Sequence, residues 1–491
     1  MTERVQAETG ARSEQVSTRA LVVCLAYAAL TGGVVAGLGN PLIYEVSVAR
    51  DVPVVDAQWM VIATLLAGAV GTPVLSRLAD GPARKRVLIG TLLVLGLASA
   101  VALIPTFPAV IATRSVQGLG YALVPLTVSL ARAHLGGEVL TRTLAMLSLS
   151  VSLGVGLGNP MIGLLVGVAG YRAPFLLVTV VGLTAAWLVA RTVPAAPRGD
   201  PRVAVDLPGA ALLALGLGAL LLAVARGGVW GWTSIATVLV GGAGVALLAV
   251  WALVELRVTA PLVDLRLVCS RTLLGVNVVA MLIGIGMFAG ASTVMVLVQT
   301  PTEHGVGLGR SVFVAGLLML PMALVSLVTP PVGLWAARRI GYRVVLAAGA
   351  LTTACAFGYF ARWHDSILDI VVMMVVMGVG VGLAYSVMPA VVVAVTPYER
   401  VGTAMGVNQV LRLAGGSAGG AVVAAILAAH TRPGAHDPAE TGFVLAAVFA
   451  SGGALVAALV ALLLLPRGTG RGAGDPDGAA EVTVDTPATA A

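Results

Sequence analysis

Residues 72–88 read Thr72-Pro73-Val74-Leu75-Ser76-Arg77-Leu78-Ala79-Asp80-Gly81-Pro82-Ala83-Arg84-Lys85-Arg86-Val87-Leu88. At an offset of 258 residues a second stretch echoes them: Pro330-Pro331-Val332-Gly333-Leu334-Trp335-Ala336-Ala337-Arg338-Arg339-Ile340-Gly341-Tyr342-Arg343-Val344-Val345-Leu346. Each is a short basic turn between two long apolar runs. Such internal repetition marks membrane folds built from two related halves.

The composition agrees. Of 491 residues, 58% are hydrophobic and only 10% charged, against about 45–50% and about 25% for a soluble domain. That hydrophobicity excludes disorder, and three cysteines (Cys24, Cys269, Cys355) in separate segments form no disulfide framework. A helix needs about 20 apolar residues to cross a bilayer. Outward from the two turns, the chain offers fourteen such stretches: 20–43, 57–77, 87–106, 108–131, 141–167, 172–192, 208–225, 231–254, 272–299, 311–335, 344–361, 367–395, 402–429 and 442–465. None shows the short alternating segments of a membrane β-barrel.

The two turns fall after the second and tenth stretches. The expected fold is therefore an all-α polytopic membrane protein with 14 transmembrane helices, arranged as two six-helix bundles plus an inserted helix pair. Its parts are an N-terminal tail (1–19), an N-terminal bundle (20–207), the inserted pair with its loop (208–271), a C-terminal bundle (272–466) and a disordered tail (467–491). The inserted pair is nearly devoid of polar residues and reads as a lipid-facing spacer or, alternatively, as part of an interface.

Lys and Arg gather on the cytoplasmic side of membrane proteins. With the N-terminus inside, 21 basic residues fall on cytoplasmic segments, six on outer loops, and two, Arg114 and Arg412, inside spans. Both termini are then cytoplasmic, and the net charge of +7 is a topology signal. Nucleic-acid binding would need a clustered basic face with aromatic platforms, and aromatics make up only 5%. One lysine against 28 arginines points to a GC-rich bacterial genome.

Polar groups within spans are costly and are functional suspects. Arg114, Gln117 and Tyr121 are spaced to share one face of a helix, which either lines a cavity or forms a structural ion pair or carbonyl clamp. The pentapeptide Gly-Leu-Gly-Asn-Pro occurs at 37–41 and again at 156–160. Pro41 and, in the second copy, Gly158, Asn159 and Pro160 with Gly163 predict kinked helices suited to a hinge or gate. Arg412 in the thirteenth stretch needs a carboxylate, carbonyls or water. Glu45 and Asp369 are the membrane-adjacent carboxylates open to a proton-carrying role. Gly378–Gly382 lies in a hydrophobic helix with no preceding strand, no Walker motif exists, and no Cys/His spacing predicts a metal. No cofactor is expected.

These residues resemble the major facilitator superfamily, and within it the fourteen-helix drug:proton antiporter branch. The loop signature of that family matches at Leu78, Asp80, Arg84 and Lys85, with Ser76, Gly81 and Ala83 as departures. The resemblance implies that Asp80, Arg84 and Lys85 act as a conformational latch. The fourth-span signature matches at Arg114, Gln117 and Gly118 and implies a part in proton coupling. The antiporter motif of the fifth span is met at Pro160 and Gly163 but not at Val155, Asn159 or Leu164. The branch's usual acidic residue in the first span aligns with Gly37 and is missing, leaving Glu45 as a substitute. Arg338 stands where the second half would carry the loop aspartate.

The resemblance further implies proton-driven export of hydrophobic or cationic small molecules such as antibiotics, across the cytoplasmic membrane and by a monomer. The cavity would be lined by Asn40, Gln117, Tyr121, Asn277, Met281, Met287, Tyr385, Met388 and Arg412. Its expected partners are a small-molecule substrate, protons and the lipid bilayer, with no nucleic acid. A dedicated exporter or proton symporter of one polar or anionic metabolite is the competing reading. A receptor or membrane enzyme is disfavoured by the lack of any extramembrane segment larger than a loop.

Overall fold

The computed structural model describes residues 2–80, 83–194, 206–258, 261, 265–268, 270–302, 306–396, 401–431 and 438–465. The expected tail at 467–491 lies outside them. Among the described residues there is helix and no strand, apart from one isolated bridge between Thr431 and Pro438.

The first half of the chain forms α1 (Thr2–Gly37), α2 (Leu42–Arg50), α3 (Val54–Ala57), α4 (Trp59–Asp80), α5 (Arg84–Val101), α6 (Phe107–Gln117), α7 (Leu123–His134), α8 (Gly137–Ala169) and α9 (Ala173–Thr192). Next come α10 (Leu207–Trp230), α11 (Ile235–Glu255) and the short α12 (Leu265–Val268). The second half forms α13 (Arg271–Gln299), α14 (Val312–Leu318), α15 (Leu320–Ile340), α16 (Tyr342–Arg362), α17 (Ile367–Val395), α18 (Val401–Ala429) and α19 (Glu440–Leu464).

Helix occupies all fourteen predicted stretches. Among the described residues, twelve helices are long and apolar enough to cross a membrane. The third and fourth stretches fall short of that measure, for local reasons. Helix α5 opens on Arg84-Lys85-Arg86 and is only 18 residues long. The fourth stretch is divided into α6, a 3₁₀ turn at Gly118–Ala122, and α7. That turn forms where α4 presses closest: a Cβ on Gly118 would lie 2.3 Å from the Thr64 carbonyl oxygen, so only glycine fits.

Helix pairing is repeated in the two halves. In the first, α1 packs on α8, α5 on α9 and α4 on α6; in the second, α13 packs on α18, α16 on α19 and α15 on α17. The halves meet through α4 with α18, α8 with α14 and α15, α2 with α13 and α3 with α18. These contacts lie toward the end where α1 and α13 finish. Ile62 packs near Gly420 and Leu65 near Gly416, and the Ser417 hydroxyl donates to the Ile62 carbonyl at 3.0 Å. On α13 every residue from Ala289 to Gln299 is buried, whereas Met281, Leu282, Met287 and Phe288, nearer the opposite end, keep some exposure. On α8, Met146, Ser148, Leu149, Ser152 and Leu153 are exposed on two faces, but Ile162 and Gly163 are buried. The bundle is thus sealed at one end. It parts toward the basic end, where Arg84-Lys85-Arg86 and Arg338-Arg339 lie.

The spacer expectation for the inserted pair is corrected for one of its helices. Helix α10 straddles the two halves, burying Leu221 and Ala225 against Ile62 of α4 and Ala421 and Ala424 of α18. Arg226 pairs with Asp56 of α3 at 3.0 Å. Only α11 faces outward along most of its length, with Ile235, Val238, Leu239 and Val245 exposed. The sequence hid this because a helix that is apolar all round has no polar face to mark which side is buried.

Candidate functional site

Arg114 is almost wholly buried at 1% exposure. Its guanidinium donates to Gln117 Oε1 at 2.7 Å and to the Val35 carbonyl at 3.4 Å. Gln117 Nε2 in turn donates to Ser99 Oγ at 2.8 Å, and Thr64 Oγ1 to the Arg114 carbonyl at 2.9 Å. A closed knot results, tying α6 to α1, α4 and α5. The clamp alternative is realised, by a carboxamide and a carbonyl, with no carboxylate among its hydrogen bonds. Arg114 also faces the C-terminal turn of α1, where the helix dipole favours a cation.

Gln117, expected in the cavity, is fully buried in this knot. Tyr121 was expected on the same helical face, but the 3₁₀ turn changes the angular step from about 100° to about 120° per residue. Tyr121 instead stays partly exposed and reaches toward α4, within 2.7 Å of where a Gly68 Cβ would sit. It lies within electrostatic reach of Arg114, Arg412 and Tyr385.

The second half contributes the facing group. Arg412 on α18 places its guanidinium carbon 4.6 Å from the Tyr385 ring centre on α17, and the Tyr385 hydroxyl donates to the Met287 sulfur at 2.9 Å. Met405, Gln409 and Arg412 follow at helical spacing and all remain partly exposed, as does Met281 on α13. Tyr121, Met287, Tyr385 and Arg412 thus gather in the middle of the bundle, with Met281 also partly exposed on α13.

Two more expected cavity residues, besides Gln117, are withdrawn from any accessible surface in this conformation. Asn277 is buried and accepts from Asn408 Nδ2 at 3.1 Å, so it joins α13 to α18. Met388 packs in the apolar cluster of α13, α16 and α17 at 1% exposure. Interhelical hydrogen bonds between polar side chains in membrane proteins are worth about 0.6 kcal/mol on average and up to about 1.7 kcal/mol. Asn408→Leu should lower thermal stability in detergent by roughly that amount, because it strands the Asn277 carboxamide. The double replacement with Asn277→Leu should recover part of the loss, and a double-mutant cycle on melting curves checks it.

The two pentapeptide copies behave differently. In the first, α1 stops at Gly37 and α2 begins after Pro41, so the expected kink is a break. Asn40 Oδ1 there accepts from Ser292 Oγ of α13 at 2.7 Å, which makes Asn40 part of the seal between halves. In the second, α8 runs unbroken through Pro160, and Asn159 Nδ2 donates to the Val155 carbonyl at 3.0 Å. Gly158 faces α1 near Val34, whereas Gly163 is pressed against the backbone of Phe313 and Gly316 against that of Asn159. Ser292, Ser99 and Gly316 carry much of this geometry and were not singled out from sequence. The signal available for the two serines was a hydroxyl in the middle of an apolar run.

Glu45 lies half-buried on α2, beside the seal. Asp369 sits in the first turn of α17, where it forms a capping box with Ser366 and accepts from the Tyr359 hydroxyl at 2.9 Å. These bonds give Asp369 a local structural task. Of the latch residues, Lys85 donates to the Ala190 carbonyl at 2.9 Å, a cation at the C-terminus of α9. Arg84 begins α5, and the Asp80 side chain lies outside the described residues. No cluster of His, Cys, Asp or Glu able to hold a metal occurs among the described residues.

The sequence profile described as Major Facilitator Superfamily matches residues 21–419 and, overlapping them, 279–484. The chain belongs to the major facilitator superfamily. This transporter is 33% identical over 401 residues to the cephamycin export protein CmcT of Amycolatopsis lactamdurans, covering 78% of this chain and 79% of the relative. It is 30% identical to the tetracenomycin C resistance and export protein of Streptomyces glaucescens, covering 84% and 75% of the two chains. The multidrug resistance protein Stp of Mycobacterium tuberculosis is also 30% identical, with 76% and 69% covered. Among solved structures, the nucleoside transporter NupG superposes with a TM-score of 0.62 at 13% identity, covering 91% of this chain and all of that one. The human organic anion transporter MFSD10 superposes at 0.57 with 18% identity, covering 90% and 99%. At such identities the structural likeness speaks to the fold alone. The transporter is a multi-pass membrane protein.

Proposed function

We propose that this transporter exports hydrophobic or cationic small molecules of the antibiotic and drug type across the cytoplasmic membrane, by alternating access and at the expense of the proton gradient. The observation that carries the reading is the similarity along most of the chain to proteins named for antibiotic export and multidrug resistance. The geometry supports the mechanism: two halves with matching helix pairing, closed at one end and parted at the other. With the basic end taken as cytoplasmic, both termini are inside and this is the inward-facing state. In this reading fourteen helices span the membrane as two six-helix units and an inserted pair, and the protein works as a monomer.

Export then requires the seal at Asn40–Ser292 and Gly163–Phe313 to open while the basic end closes. In this reading Asp80, Arg84 and Lys85, at the N-half turn, latch that closure. Pro41, Gly158, Asn159 and Pro160 flank the moving contacts. Among possible proton carriers, Glu45 is favoured over Asp369 because it lies beside the seal and its carboxylate is not committed to a helix cap. The test is pH-driven flux in proteoliposomes. Glu45→Gln should reduce it at least about 10-fold, whereas Asp369→Asn should retain most of it. Full flux in both variants would remove both carboxylates from the coupling mechanism.

A second reading, a dedicated exporter or symporter of one polar or anionic metabolite, is favoured by the two intramembrane arginines. A susceptibility panel in a pump-deficient host separates the readings. Protection against several unrelated lipophilic cations would eliminate the single-metabolite function.

A further inference from the structure

No aspartate or glutamate occurs in residues 15–44, 57–79, 81–137, 139–199, 207–254, 265–302, 304–364, 370–398, 400–436 or 441–474. The middle of every predicted span therefore lacks a carboxylate, yet it holds Arg114 and Arg412. The two arginines are treated differently by the fold. Arg114 is buried and held by Gln117 and the Val35 carbonyl. Arg412 is partly exposed, and its guanidinium faces the ring of Tyr385 with no ion pair among the described residues. Helix α13 grips the backbone of α18 at this level, with the Arg412 carbonyl oxygen 2.2 Å from where a Gly284 Cβ would sit, so the arginine is presented from a fixed frame. Leu413, the next residue, packs against α4, 3.4 Å from the Cβ position of Gly68. Arg412 thus sits on a partly exposed face of α18, against the ring of Tyr385 and within electrostatic reach of Tyr121.

We propose that Arg412 is the charge-recognising residue of the substrate site and that the compound it binds is a hydrophobic organic anion bearing a carboxylate or an acidic enol or phenol. This proposal rests on the export reading above, keeps its hydrophobic substrates and assigns them a negative rather than a positive charge. An intramembrane cation without a counter-ion is costly, and a planar guanidinium is suited to a carboxylate or similar delocalised anion. The Tyr385 face holds the cation in place before substrate arrives, and the Met287 sulfur fixes the Tyr385 hydroxyl. Tyr121 and Tyr385 then supply apolar walls for the remainder of the molecule.

Two dyes sharing a xanthene ring system test it: anionic fluorescein and cationic rhodamine 6G. Equilibrium binding is measured to full-length protein in lipid nanodiscs, followed by dye flux in proteoliposomes. Wild type should bind fluorescein at least about 10-fold more tightly than rhodamine 6G. Arg412→Gln should weaken fluorescein binding at least about 10-fold while leaving rhodamine 6G within about 2-fold, and Arg412→Lys should restore part of the fluorescein affinity. Preference of wild type for rhodamine 6G, absence of fluorescein binding, or equal weakening of both dyes by Arg412→Gln would overturn the proposal. Fluorescein binding lost in Arg412→Gln but unaccompanied by flux in wild type would uphold the anion site and overturn the export reading instead.

Discussion

Gly163→Leu and Gly316→Leu are each expected to lower transport about 100-fold while leaving the amount of folded protein close to wild type. A Cβ at Gly163 would lie 2.4 Å from Phe313 Cα and 2.6 Å from its backbone nitrogen; one at Gly316 would lie 2.6 Å from the Asn159 carbonyl oxygen and 2.9 Å from Pro160 Cα. All four neighbours are backbone atoms, so no side chain can turn aside. Overpacking of this kind costs about 1–3 kcal/mol, and each 1.4 kcal/mol changes a population tenfold. The penalty falls on the contact between α8 and α14, which joins the two halves and exists in full only while this end is sealed. The equilibrium should therefore shift away from the sealed state. Gly154 is the contrast: its Cβ would lie 2.6 Å from the Leu30 carbonyl oxygen and 2.9 Å from Gly33 Cα, within the N-terminal half. Gly154→Leu should instead reduce the yield of folded protein. Thiol labelling of Ser292→Cys from the outer face, with fluorescence-detected gel filtration for folding, checks both. Wild-type flux and wild-type labelling in Gly163→Leu would refute the seal.

Arg114→Leu is expected to abolish at least about 99% of flux with little change in melting temperature. Its removal strands only neutral acceptors, Gln117 Oε1 and the Val35 carbonyl. Hydrogen bonds from a charged group are worth about 1.5–3 kcal/mol each. Their loss is offset by no longer burying a guanidinium that has no carboxylate partner, which costs several kcal/mol. Near-neutral stability follows. Flux should fall because the knot joins α6 to α1, α4 and α5, so its side chains cannot rearrange independently when the halves move. A purely structural arginine would behave oppositely, with a large drop in melting temperature and residual flux in proportion to the folded protein. Detergent melting curves together with proteoliposome flux separate the outcomes.

The membrane nature of the chain, its helical stretches and its duplicated basic turns are legible from composition and spacing, because bilayer thickness and backbone hydrogen bonding leave few alternatives. The residues worth attention were legible as well, since a polar group in a span is conspicuous. Their partners were not. Asn277 was read as cavity-lining but is bonded to Asn408, 131 positions away. Asn40 was likewise read as cavity-lining, and its partner is Ser292, 252 positions away. Helix α10 shows the same limit, because its apolar circumference does not record that two bundles meet against it.

The pentapeptide Gly-Leu-Gly-Asn-Pro puts the division most sharply. Both copies announce a weak point in a helix, since proline lacks a donor and glycine costs helix stability. At 37–41 the helix breaks, because Ser292 supplies a hydrogen bond to Asn40 and Arg114 approaches Gly39 beside the last turn of α1. At 156–160 the helix continues, because Asn159 bonds back to Val155 and α8 is held between α1 on one side and α14 on the other. Sequence alone determined where the long apolar helices lie and where a helix is free to fail. Tertiary structure decided which helix failed, which end of the bundle is shut, and that Arg412 rather than Arg114 stays partly exposed, because each depends on groups that only packing brings within hydrogen-bonding or van der Waals reach.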